Sequence, residues 1–254
     1  MKYFLECSFI STFESIQKTG TYINGSTQRG LSMYTYGSTL GRTNYPCYYD
    51  KDGYHTLVRP YACFKPNSPA RKLLDHVWFT NFVEHVEKEV VFFLRTCYPD
   101  KKKAKMTLFY MSLAKKVIPS DCRICGSCFN HMTVLGKCEY KEGACINAHT
   151  DELDIITALF HVGKPESGGG TLYYSGSSTK KMGELIHNIA FEHGRLQIGF
   201  FDTTLHAAEA WVGIRGGINF NIKKNVLKFF QNKTLKRYYL QYKNAGFPEN
   251  FVAS

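Results

Sequence analysis

Two side chains able to bind a metal, His149 and Asp151, stand two positions apart in Asn147-Ala148-His149-Thr150-Asp151, just ahead of the apolar run 155–162. In extended chain, residues i and i+2 project from the same face. This imidazole and carboxylate can therefore grip one ion from one side. A third ligand must come from elsewhere, and His206 is the candidate. It follows a strand-like stretch, 196–201, and a short turn, 202–205. Two imidazoles and one carboxylate on one face of a metal leave the opposite face open, and this donor mixture suits Fe(II). A His-x-Asp pair alone is common, so the weight rests on what surrounds it.

Arg215 is the next piece, nine residues after His206. By strand parity Arg215, Gly217, Asn219 and Asn221 share one face, opposite Ile218, Phe220 and Ile222. A buried arginine needs an anionic partner, and a carboxylate matches its fork of donors best. The functional reading is an anchor for the far carboxylate of a dicarboxylic acid that chelates the metal. The plain reading is an exposed arginine at a turn, and the residue alone favours it.

The segment 121–145 holds a second set of ligand-capable side chains: Cys122, Cys125 and Cys128, then His131, Cys138 and Cys145. Cys122, Cys125, Cys128 and Cys138 could hold a structural zinc. Cysteines at i, i+3 and i+6 also make an ordinary helical stripe, and the two readings stand level.

The elements that would position these residues can be read from period and punctuation. Ser68-Pro69 is an N-cap followed by proline in the first turn. Leu73, Leu74, Val77, Trp78, Val83, Val86, Val90 and Leu94 then recur at near-helical spacing, which predicts one long helix over about 69–96 that packs on a sheet. The run 100–105 carries four lysines; it reads as a solvated loop or helix start more readily than as a phosphate site. Residues 106–118 form a second helix or a strand. Short strands follow at 155–162, 171–174, 186–191, 196–201 and 218–222, and 226–230 continues the apolar pattern. Gly168-Gly169-Gly170 is a turn. Strands at this spacing suggest a sandwich or barrel.

The chain has 254 residues, enough for one large β-rich domain, and 44% of them are hydrophobic. Its net charge of +11 favours an acidic partner, nucleic acid above all. Nine cysteines with no signal-like leader suggest an intracellular protein of thiols or metal ligands, nuclear if DNA is the substrate. No apolar run nears the roughly 20 residues a membrane helix needs, so no membrane partner is expected. Oligomeric state is not legible.

Taken in order, His149-Thr150-Asp151, a Gly-rich turn with Thr171-Leu172, a Gly-opened strand ending in Phe200-Phe201-Asp202, then His206 and Arg215 resemble the core of the Fe(II)/2-oxoglutarate-dependent dioxygenases. The resemblance covers about 145–230. It implies an α+β fold, with a double-stranded β-helix (jelly-roll) core and N-terminal helical support. The chain then divides into a support region, 1–120, the Cys-rich segment, 121–145, the catalytic core, 146–230, and a basic, Tyr-rich tail, 231–254, with room for a short helix, all expected in one globular unit. It implies that His149, Asp151 and His206 bind Fe(II), that Arg215 pairs with the 5-carboxylate of 2-oxoglutarate, and that O2 is the oxidant. Relatives with an Arg-x-Ser pattern carry serine where Gly217 stands, so a second carboxylate contact is missing or comes from elsewhere. His149-Thr150-Asp151 followed by Asp154 is most similar to the TET/JBP group, which oxidises the methyl of 5-methylpyrimidines such as 5-methylcytosine in nucleic acid. Such a base must leave the stack to reach the metal, and Tyr34, Tyr36, Tyr173 or Tyr174 could stack on it. A prolyl-type protein hydroxylase, a small-molecule hydroxylase and a non-catalytic nucleic-acid-binding zinc or β-helix module are the alternatives.

Overall fold

The computed structural model of the chain describes residues 21–24, 28–37, 48–49, 55–56, 69–136, 144–151, 153–176 and 178–245. Two compact units emerge, Met1–Tyr34 with Thr133–Phe220, and Thr35–Met132 with Asn221–Ser254. The first is built of strands and the second mostly of helices, so the fold is α+β as expected.

In the helical unit, the predicted long helix is broken. Helix α1 spans Pro69–Asp75 and α2 spans Val77–Phe92, running on into a π turn at Phe93–Cys97. His76 stands between them in an extended conformation (φ −73°, ψ 122°), and its side chain accepts from the Trp78 amide at 3.2 Å. It caps α2 from outside the helix, a local bond that competes with the helical one. The predicted apolar stripe shifts at the break: Val77 is 74% exposed, whereas Phe79 and Phe82 are buried and Val83, Val86, Val90 and Leu94 continue the buried face. Tyr98 is extended ahead of Pro99, where the proline ring disfavours helix.

Helix α3 spans Lys101–Val117. The Asp100 carboxylate caps it, accepting from the Lys103 amide at 2.9 Å. The lysine run is thus the first turn of a helix, and residues 106–117 are helix rather than strand. Ala104, Thr107, Met111 and Ala114 are its buried stripe.

The stretch 226–230, read as continuing the strands, is instead inside helix α4, Lys224–Gln231. Val226, Leu227, Phe229 and Phe230 are all buried, a spacing that one face of a helix satisfies and one face of a strand does not. Asn232 then caps helix α5, Lys233–Ala245, accepting from the amides of Thr234 and Leu235. Phe230 meets Tyr239 edge-on at 5.3 Å.

In the strand unit, β1 (Thr21–Asn24), β2 (Gln28–Gly37), β5 (His131–Gly136), β6 (Ala144–His149), β7 (Asp154–Gly168), β8 (Thr171–Gly176), β9 (Met182–Ile189), β10 (Leu196–Gly199) and β11 (His206–Lys223) share one sheet. In the other unit β3 (Tyr48–Tyr49) pairs antiparallel with β4 (His55–Thr56) as a separate two-stranded sheet. The order is β1-β2-β5-β11-β7-β10, with β6 also pairing β11 and β2, and β8 pairing β11 and β9. Strand β11 is the hub. One strand in contact with β6, β7 and β8 brings residues far apart in sequence to a common face. Strand β7 is buried from Asp154 through Val162, on both of its faces.

Candidate metal centre

His149 ends β6 and His206 begins β11, and the antiparallel register sets them opposite one another. Tyr173 of β8 is the partner of His206 on its other side. Asp151 leaves β6 two residues after His149 and is held by its amide, which donates to the Phe201 carbonyl at 2.8 Å. Leu153, with φ +71°, turns the chain back into β7 in a conformation unusual for a branched side chain. Asp154, buried at the start of β7, accepts from the Thr157 hydroxyl at 3.0 Å, which pins that turn.

The ligand-capable atoms of His149, Asp151 and His206 all lie within 4.8 Å of one another. His149 Nε2 is 3.5 Å from Asp151 Oδ1, and His206 Nε2 is 3.8 Å from Asp151 Oδ2. Each Nδ1 is occupied by a backbone carbonyl: Asn147 for His149 at 2.8 Å, and Thr204 for His206 at 2.9 Å. A carbonyl only accepts, so each Nδ1 carries the proton and each Nε2 presents a lone pair. Backbone bonds of this kind orient metal-binding imidazoles. The donor chemistry therefore fits a divalent metal such as Fe(II), with three protein ligands and an open side.

Electrostatics separate the two rings. Burial pulls His149 down, but the hydrogen bond and charge of Asp151, helped by the Asn147 carbonyl, outweigh it and leave the ring above its ordinary value. Burial dominates at His206 and leaves it below, despite the charge of Asp151. Phe201 packs against His206 with the rings tilted by 31° and centroids 4.5 Å apart, and Tyr173 lies 6.1 Å from Phe201. One flank of the centre is thus aromatic, while His149 and Asp151 remain partly open.

Arg215 is only 4% exposed, which removes the reading of a surface arginine at a turn. Its Nε donates to the Gly169 carbonyl at 2.8 Å, leaving the two Nη groups for another acceptor. Its guanidinium lies 4.8 Å above the Trp211 ring and 5.9 Å from that of Phe191. Burial pulls its pKa down to about 10. Among the described residues no carboxylate pairs with it. A guanidinium this buried, with no counter-charge among the described residues, is able to receive an anion. The glycine turn supplies the carbonyl. Gly168 and Gly169 have φ of +65° and +84°, and a Cβ at Gly168 would fall 1.9 Å from the Ala210 carbonyl oxygen.

The cysteines are not gathered in this way. Among the described residues Cys122, Cys125 and Cys128 do not form a metal-holding group. The Cys122 thiol donates to the Tyr239 hydroxyl at 3.1 Å, while that of Cys125 points to the Leu74 carbonyl at 3.8 Å. Burial pushes Cys125 up to about 11 and Cys128 well above the usual thiol range. Two separate 3-10 turns, Ser120–Cys122 and Ile124–Gly126, aim the side chains at different neighbours. These thiols are fixed by separate neighbours, and among the described residues nothing supports the expected zinc site. Cys138 lies outside the described residues, as do the side chains of Tyr34 and Tyr36.

Two residues near Arg215 were not singled out from sequence. His161 and Gln197 are buried, at 1% and 8% exposure, on the face that carries Leu159. Their one signal was parity: a histidine at an alternate position of an apolar strand, and a glutamine between Leu196 and Ile198.

No protein-family model matches the chain, and no curated protein matches it. Among solved structures, it is similar to NgTET1 in complex with 5mC DNA, at a TM-score of 0.52 and 14% identity over 85% of this chain and 66% of that one. It is also similar to a Pseudomonas putida prolyl-4-hydroxylase, at a TM-score of 0.44 and 9% identity over 88% and 90% of the two chains. For an oxidoreductase of the 2OG-Fe(II) oxygenase family from Burkholderia pseudomallei the TM-score is 0.29, with 10% identity over 38% and 43%. The chain thus spans less than half the length of the Burkholderia protein and about two thirds that of NgTET1. The likeness to NgTET1 is one of fold alone, a mixed helix and antiparallel jelly-roll architecture of the kind the sequence resemblance implied.

Proposed function

We propose that this chain is an Fe(II)- and 2-oxoglutarate-dependent dioxygenase that hydroxylates a C–H bond, with the 5-methyl group of a pyrimidine in nucleic acid as its substrate. The observation that carries the reading is the pairing of two sites on one strand. His206 opens β11 beside His149 and Asp151, and Arg215 lies buried further along the same strand with its Nη groups unclaimed among the described residues.

The parts divide as follows. His149, Asp151 and His206 would hold the metal through Nε2, a carboxylate oxygen and Nε2. Bound Fe(II) with 2-oxoglutarate would couple decarboxylation of the keto acid to reduction of O2 and so supply the oxidising power. The carbonyls of Asn147 and Thr204 keep both imidazoles in the ligating tautomer. Arg215 orients the co-substrate by its far carboxylate, and desolvation strengthens that contact. Phe201 and Tyr173 keep water from one flank, while the partly open flank at His149 and Asp151 is where the substrate carbon would enter.

The nucleic-acid substrate is supported by the net charge of +11 and by the fold shared with NgTET1, whose structure holds 5mC DNA. The test is an oligonucleotide carrying 5-methylcytosine, incubated with Fe(II), ascorbate and 2-oxoglutarate and read by mass spectrometry. A gain of one oxygen on the methylated base is the expected product. Succinate formed with the oligonucleotide unchanged would keep the dioxygenase and discard this substrate.

A further inference from the structure

The surroundings of Arg215 hold more unused polarity than one guanidinium. Both ring nitrogens of His161, the Gln197 amide nitrogen and the Trp211 indole nitrogen are buried without a hydrogen-bond partner among the described residues. Native interiors rarely leave such atoms unpaired, and each costs on the order of 1–3 kcal/mol unless a ligand or water completes it. Four such atoms beside a buried cation mark a polar ligand site.

Their placement is consistent. Gln197 is the cross-strand partner of Leu159, and His161 lies two residues along β7 on the same face. Gly217, two residues beyond Arg215, meets that face: a Cβ there would come 2.9 Å from Leu159 Cδ1. His161 and Arg215 both border the Phe191 ring, at 5.2 Å and 5.9 Å. The Gln197 carbonyl oxygen is already taken by the Tyr173 hydroxyl at 3.2 Å, which turns its amide nitrogen the other way. Leu159 thus occupies the space where a serine at position 217 would reach a carboxylate, and two polar side chains stand beside it instead.

We propose that His161 and Gln197 bind the far carboxylate of 2-oxoglutarate together with Arg215, replacing the hydroxyl contact that Gly217 cannot make. Gln197 donates through Nε2, and His161 donates one ring N–H as a neutral imidazole. Burial and the Arg215 charge pull His161 down to about 3, so it stays neutral; Gln197 lies close enough to oppose this somewhat without hydrogen-bond geometry. A neutral ring beside the guanidinium adds a donor without adding a second buried cation. The assignment rests on the dioxygenase reading and specifies its co-substrate pocket.

The test is calorimetric titration of the whole chain loaded with Mn(II), using 2-oxoglutarate and oxalate as probes. Oxalate can chelate the metal but has no distal arm. Gln197→Leu and His161→Phe should each weaken 2-oxoglutarate about tenfold, the loss of one hydrogen bond to a charged group. Both should leave oxalate within twofold, which also shows that the metal site has folded. A variant that keeps wild-type affinity for 2-oxoglutarate removes its residue from the pocket. Equal loss of both probes would make the effect structural and overturn the proposal. If the wild type binds oxalate but not 2-oxoglutarate, the dioxygenase reading itself falls. If Arg215→Met alone loses 2-oxoglutarate, that reading stands and this inference fails.

Discussion

His149 and His206 are register partners across β6 and β11, with ring centroids 4.4 Å apart and both Nδ1 atoms held by backbone carbonyls. Both Nε2 atoms converge on the one Asp151 carboxylate, an arrangement suited to ligation rather than to packing. Removing either ring should therefore act on metal binding more than on folding. His206→Ala is expected to lower Mn(II) affinity at least about 100-fold, since even the supporting partners of such ligands are worth 10–100-fold. Equilibrium dialysis with circular dichroism on the same sample checks this; unchanged affinity would remove His206 from the ligand set.

In the proposed function Arg215 acts on the co-substrate rather than on the metal. Arg215→Met removes the charge and keeps most of the apolar volume. It should raise the 2-oxoglutarate requirement by roughly tenfold or more, because hydrogen bonds to charged groups contribute about 1.5–3 kcal/mol each. Saturation curves for 2-oxoglutarate, with Mn(II) affinity measured in parallel, check it. An unchanged requirement would mean that another residue is the anchor.

How far the sequence speaks depends on which forces set each feature. His149 and Asp151 are neighbours on an extended segment, so local geometry alone suggests their partnership. His206 and Arg215 could be proposed from their order along the chain. The burial of Arg215 could not, because it depends on Trp211, Gly169 and Phe191 folding around it. His161 and Gln197 read as ordinary strand residues until β7 and β10 pair. The break at His76 escaped because a side-chain cap overrides a continuous apolar period. The helix at 224–231 escaped because short apolar runs suit either element until burial decides.

The glycine turn before β8 admits no side chain at its first position. Gly168 combines φ +65° with a Cβ position 1.9 Å from a backbone oxygen. Gly168→Ala should destabilise the protein by more than about 2 kcal/mol, through strain at a positive φ and a clash that backbone must relieve. Urea unfolding measures it. A loss below about 0.5 kcal/mol would show that the turn can relax.

His161 should make the protein acid-sensitive. Its folded pKa, about 3, lies below the ordinary value of 6.5. The unfolded chain therefore binds a proton that the folded chain refuses. The stability at stake is fully present above pH 6.5 and falls as pH drops from there toward 3. The slope is about 1.4 kcal/mol per pH unit, so moving from pH 6.5 to 5 costs about 2 kcal/mol. His161→Phe should flatten this part of the pH–stability curve. Parallel curves for wild type and variant between pH 7 and 5 would contradict the assignment.

The central claim is that His149, Asp151 and His206 form an iron site which drives oxidative decarboxylation. Succinate formation from 2-oxoglutarate, with Fe(II) and air, tests it most directly when wild type and Asp151→Ala are compared at equal concentration. The account predicts succinate from the wild type, and none above the free-iron background from folded Asp151→Ala. Equal succinate from both proteins, or none from the wild type, would contradict it.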